Sequence, residues 1–380
     1  MKHIYLDYAA ATPLAPEVKA AMTPYLDKFF YNPSAQYLAA QNVARELENA
    51  RSSIAHWLGC RPTELTFTAG GTEANNLAIQ GLMRLYPEGR VIFSAIEHEA
   101  VIEPAKQHRH QLIPVTAEGL VNVDTLAGMI DDSTVLVSVM YANNEIGTIQ
   151  PLKKVAKLIQ AVRTKRLKAG NNLPIYLHTD ACQAGAYLDL HVNRLGVDLM
   201  TINSGKIYGP KQCGALYVRA GIELEPQILG GGQERGRRSG TENVANIVGF
   251  AAALDSVQTK RLKEVERLQA LQTHFMDALK THLPGVVVNG SRKFRLPNNV
   301  HVTIPGTDNE RLMMQLDECG IQCAVGSACS ASNDEPSHVL KALGLTDEAA
   351  QSSLRFTMGR ATTKADMDYT VKTLVRSTKA

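Results

Sequence analysis

Tryptophan and cysteine are scarce in this chain: one Trp and six Cys among 380 residues, with aromatic residues at only 6%. The thiols are scattered over positions 60, 182, 213, 319, 323 and 329. That is far below the density of a small disulfide-stapled domain, so a reducing compartment is expected. Neither charge dominates. Lys and Arg number 40 against 37 Asp and Glu, and a surplus of +3 argues for no polyanion surface. No apolar run approaches the ~20 residues of a membrane span. An acid at Asp7 breaks the apolar stretch that a signal peptide requires. The expectation is a cytoplasmic protein without a membrane or a direct nucleic-acid partner.

What is present is the composition of a packed enzyme, 44% hydrophobic and 20% charged, long enough for two or three domains of about 150 residues. Leu38, Val43, Leu47, Ile54 and Leu58 keep helical spacing up to Gly59, a stop signal. Short β-type runs follow at 90–93, 112–115, 135–140, 174–178, 198–202 and 215–218, most of them separated by helix-length segments. This alternation predicts an α/β fold, a mainly parallel sheet with helices on both faces. One long helix is expected over 242–282, then an α+β unit with strands at 286–289, 300–304 and 354–357. Residues around 324–336 read as a long loop.

Ligands of such sheets sit at the carboxyl ends of the strands, so the polar residues just after each apolar run are the candidates. Gly70-Gly71-Thr72-Glu73 follows a strand and opens a helix, which suits a phosphate or an ordinary capped turn. Asp180, in His178-Thr179-Asp180-Ala181-Cys182-Gln183, can hold a proton on a heteroaromatic nitrogen or cap a helix. Lys206, in Asn203-Ser204-Gly205-Lys206, can form a Schiff base if kept dry; alone, it reads as a solvated charge. Three strand-end groups suited to one phosphorylated pyridine aldehyde are unlike separate accidents.

Further candidates are less specific. Residues 230–241 form a Gly-rich basic stretch ending in Thr241, without the order of a nucleotide loop. Cys329 in the long loop is either a nucleophile or an inert thiol; a metal site with Cys319, Cys323 and His338 matches no zinc spacing. His98 can lie against a planar cofactor or sit at the surface, and Asn144 offers an amide at the same sheet edge. Arg355 and Arg360 can clamp a carboxylate or pair with acids.

Taken together these residues resemble the pyridoxal-phosphate cysteine desulfurases of the class V aminotransferase group, of the iron–sulfur assembly kind. The motifs that carry the resemblance include Tyr5-Leu6-Asp7-Tyr8-Ala9-Ala10, Asn32-Pro33-Ser34, 67–73, 143–147, 178–183, 206–211, 235–243 and Gly326-Ser327-Ala328-Cys329, in the family's order. The resemblance implies a fold-type I transferase with a seven-stranded sheet. Residues 15–255 would be its large domain, and 1–14 with 256–380 a smaller one bearing a mobile cysteine loop.

It also implies roles. Lys206 is the Schiff-base lysine, Asp180 the partner of the pyridine nitrogen, Gln183 and Asn144 the ring-oxygen contacts and His98 the stacking base. Gly71, Thr72 and Ser204 hold the phosphate of pyridoxal 5'-phosphate, with Thr241 arriving from the other subunit of a homodimer. Arg355 and Asn144 bind substrate, and Cys329 takes sulfur from L-cysteine as a persulfide, leaving L-alanine. The sulfur then passes to an acceptor protein, an iron–sulfur scaffold or a tRNA-thiolating enzyme. No resident metal is implied beyond a transient contact of Cys329 with an iron–sulfur cluster. Two departures stand out: Gly205 replaces a His usual before the lysine, and Ala35-Gln36-Tyr37 lacks another. The alternatives are a selenocysteine lyase, another class V aminotransferase or lyase, and a non-catalytic scaffold.

Overall fold

The computed structural model describes residues 3–326 and 336–378. Its strands, in chain order, are β1 (Ile4–Tyr5), β2 (Leu65–Thr68), β3 (Arg90–Ser94), β4 (Arg109–Ile113), β5 (Thr134–Ser138) and β6 (Tyr176–Asp180). They continue with β7 (Leu199–Asn203), β8 (Gly214–Val218), β9 (Val287–Val288), β10 (Asn299–Thr303), β11 (Ile321–Gln322) and β12 (Ser353–Thr357). Seven of them form one sheet in the order β2-β8-β7-β6-β5-β3-β4.

Every neighbouring pair from β7 to β4 is parallel, while β8 is antiparallel to both β7 and β2. Two reversals cancel, so β2 points the same way as β7. The chain therefore leaves β2, β3, β5, β6 and β7 at a single edge of the sheet, where a ligand can meet all five exits. Both faces are covered, as continuous Val, Ile and Leu runs require. Ile92, Val137, Leu177 and Met200 pack into one buried cluster, and Val91, Phe93, Val135 and Leu199 into another.

The Leu38–Leu58 helix ends where the spacing predicts, with Gly59 in the left-handed region at φ 63°. The single helix expected over 242–282 is in fact two, Val244–Thr259 and Arg261–His282, and the break is at Lys260. Gly249 serves close packing instead: a Cβ there would stand 2.6 Å from the Met22 side chain of the Pro16–Met22 helix. The expected division after residue 255 falls inside the first of the two helices.

Beyond them, β12, β10 and β9 form a small antiparallel sheet, and β1 pairs with β11. The N-terminal segment continues past β1 to bridge Asp7 with Thr357, so it runs from the small sheet to the edge of the large one.

Candidate active site

A cavity of about 230 Å³ opens at that edge. It is lined by Gly71, Thr72, His98, Asn144, Asp180, Gln183, Lys206 and Arg355, eight of the residues singled out in the sequence. Ala9, Ala10, Asn75, Met140, Cys182 and Asn203 also line it.

One corner of it is the start of the Gly71–Met83 helix. Gly70 sits at φ 144°, ψ −176°, a backbone that a side chain disfavours, and a Cβ at Gly71 would stand 2.7 Å from Cys182 Sγ. The first N–H groups of a helix lack intrahelical partners, and Gly71 and Thr72 of this first turn line the cavity. Glu73 is turned away from them: it accepts from Ala69 N at 2.8 Å and pairs with Arg238 at 2.9 Å.

The floor is the end of β6. Asp180 is buried, one carboxylate oxygen accepting from Cys182 N at 2.9 Å and the other from Asn75 Nδ2 at 2.7 Å. Beneath it on the same strand, burial drives His178 down to about 4; its ring nitrogens face Ser138 Oγ at 2.8 Å and Thr201 Oγ1 at 3.2 Å. The imidazole is thus neutral at physiological pH. The Cys182 thiol is pushed well up by burial and by the adjacent Asp180, so it stays protonated.

Lys206 ends a single 3₁₀ turn, Ser204–Lys206, directly after β7. Its ammonium donates to Ala9 O at 2.9 Å and Ala10 O at 2.6 Å, and Gln183 Nε2 donates to Ala9 O at 3.0 Å. The N-terminal segment therefore forms part of the wall. His98 caps the Glu99–Lys106 helix, its Nδ1 accepting from Ala100 N at 3.0 Å. This bond leaves Nδ1 unprotonated and places any ring proton on Nε2.

Just before His98, Glu97 is wholly buried, and burial holds its carboxyl well above the usual range. Arg355, on β12, is buried; it pairs with Asp7 at 2.7 Å and donates to Asn144 O at 3.0 Å, while its Nε has no partner among the described residues.

Two expected contacts lie elsewhere. Ser204 is fully buried away from the cavity, its Oγ without a partner among the described residues and packed where a Cβ at Gly209 would collide with it. The tight turn swings Ser204 inward and leaves Asn203, the last residue of β7, to line the cavity; its Oδ1 accepts from Gly205 N at 3.0 Å. Thr241 is exposed and borders a separate hollow with Phe67, Gln212 and Arg238. Cys329 lies outside the described residues.

Asn75 and Asn203 carried no expected role. Asn75 was discoverable, because four residues after Gly71 on a helix is the same face.

The model of the class-V aminotransferases matches residues 4–370. The chain belongs to that family. The cysteine desulfurase IscS of Dictyoglomus turgidum is 41% identical over 99% of this chain and 94% of its own length. A solved NifS-like protein superposes with a TM-score of 0.91 at 28% identity, covering 100% of both chains. Another solved protein, SspA in complex with cysteine, is 33% identical with a TM-score of 0.81 over 93% of this chain and 98% of its own. Among the class-V aminotransferases, this chain thus resembles cysteine desulfurases along its whole length.

Proposed function

We propose that the protein is a pyridoxal-phosphate-dependent cysteine desulfurase: it takes sulfur from L-cysteine, releases L-alanine and holds the sulfur on Cys329 for transfer to an acceptor protein. The observation that carries this reading is the convergence of Lys206, Asp180, Gln183, His98, Asn144 and Arg355 on one cavity. The residues fit the coenzyme. There is an amine for its aldehyde, a carboxylate for its ring nitrogen, a Gly71 cradle with no room for a side chain and an amide from Asn203 beside it.

When bound, pyridoxal phosphate would supply an electron-withdrawing ring that acidifies the substrate Cα–H. Lys206 is the base for that proton and returns it during product formation. Asp180, held by two N–H donors, orients and charge-balances the ring. Asn203 stands in for Ser204 at the phosphate. Arg355, which lines the cavity beside Asp7, draws the substrate carboxylate with its guanidinium. The Cys329 thiolate attacks the substrate sulfur, forming an S–S bond as the carbon–sulfur bond breaks, and the carbon keeps the electron pair and gains a proton.

We further read the protein as a cytoplasmic homodimer. Leu26, Phe30, Tyr37 and Leu38 are all more than half exposed within a short N-terminal stretch, which suits a covered interface, and Thr241 reaches no part of its own cavity. Among the described residues no helix is long and apolar enough to cross a membrane.

The test is incubation of the purified, pyridoxal-phosphate-loaded protein with L-cysteine. One alanine should appear for each sulfur bound or reduced to sulfide, with a persulfide mapped to Cys329, and Cys329→Ser should abolish both. Alanine formation unchanged in Cys329→Ser would contradict the assignment, and release of pyruvate instead of alanine would favour a lyase.

A further inference from the structure

We infer that Asn75 is a positioning residue that fixes Asp180 as the acceptor for a protonated heteroaromatic nitrogen. The inference rests on the coenzyme reading above and adds a residue to it. Asn75 is 1% exposed, on the first turns of the Gly71–Met83 helix, and lines the same cavity as Asp180. Its Nδ2 donates to Asp180 Oδ2 at 2.7 Å, the shorter of the two bonds that hold this carboxylate. Its Oδ1 is buried and has no partner among the described residues.

Burying an amide oxygen without a donor is costly, so Asn75 is kept here for what its N–H does at Asp180. The amide orients itself by charge: facing a carboxylate it presents N–H. The arrangement also joins the two ends of a ligand site. The helix whose N-terminus forms the phosphate cradle carries, one turn on, the clamp on the carboxylate, so cradle and acceptor are held at a fixed spacing by one rigid element. Of the nearby acids, Glu97 accepts from Met140 N through Oε1 at 2.6 Å and its Oε2 has no partner among the described residues, so it gives Asp180 no hydrogen bond.

Asn75→Asp keeps the shape and replaces the donor with an acceptor, which sets two carboxyl groups against each other. Asn75→Ser removes the clamp with a smaller polar group. The apo-protein and both variants would be titrated with pyridoxal phosphate, and the absorbance of the bound coenzyme followed against pH. In both variants the coenzyme is expected to remain reducible by borohydride onto Lys206. Its dissociation constant should rise roughly tenfold or more, as the loss of one charge-assisted hydrogen bond implies. In Asn75→Asp the pH profile of its absorbance should also shift, which a merely structural defect would not produce.

A wild-type dissociation constant and pH profile in Asn75→Asp and Asn75→Ser would overturn the inference while leaving the coenzyme reading intact. Failure of the wild type itself to form a borohydride-stable adduct would overturn both.

Discussion

Arg355 shows how one side chain ties the small antiparallel sheet to the cavity. It comes from the middle of β12, opposite His301, yet its guanidinium meets Asp7 of the N-terminal segment and the backbone of Asn144 after β5. The sequence offered two readings, a carboxylate clamp or an acid-paired charge, and the structure shows the pairing with Asp7 at the cavity wall. Arg355→Lys keeps a charge but loses the planar fork. It is expected to raise the KM for L-cysteine about tenfold or more with the coenzyme absorbance unchanged; an unaltered KM would remove Arg355 from substrate binding. Lys206 and Asp180 were legible because each stands at the end of an apolar strand. Ser204 was misplaced because a turn of only three residues decides which of two neighbours faces inward, and hydrogen bonds rather than periodicity set that turn.

At the level of elements, the apolar runs located the buried strands of the large sheet well and its edge poorly. The expected strand at 112–115 is β4, which begins at Arg109; its residues Arg109 to Leu112 are exposed at the sheet edge, where burial imposes no apolar pattern. The antiparallel insertion of β8 was equally hidden, since a buried strand reads the same in either direction. Two buried histidines carry a pH consequence for these elements. Burial drives His178 on β6 to about 4 and His301 on β10 to about 3, the latter helped by Arg295 and Arg355. Both stay neutral in the fold, whereas the unfolded chain takes up protons below about 6.5. Their stabilisation is therefore full above that pH and falls as the pH drops towards 4, by on the order of 3 kcal/mol for His178. Glu97 has the opposite sign: held protonated in the fold, it favours the folded state at low pH and loses that advantage as the pH rises above its ordinary value. Urea midpoints measured from pH 7 to 4.5 should decline in the wild type and less steeply in His178→Asn; parallel slopes would refute the linkage.

At the scale of the whole molecule, five strand exits converge because two antiparallel reversals around β8 restore the direction of β2. That cancellation is global, and no local stretch of sequence displays it. The proposed dimer belongs to this scale as well. Sedimentation should give twice the chain mass, and Phe30→Asp with Leu38→Asp should shift it towards the monomer and weaken coenzyme binding if Thr241 completes the partner's site. A wild-type monomer holding the coenzyme normally would exclude that arrangement.

The most direct test of the whole account is to load the protein with pyridoxal phosphate, reduce it with borohydride and locate the modified residue by peptide mass spectrometry. A single phosphopyridoxyl group on Lys206, absent in Lys206→Ala, is the predicted result. Modification spread over surface lysines, with Lys206 untouched, would contradict it.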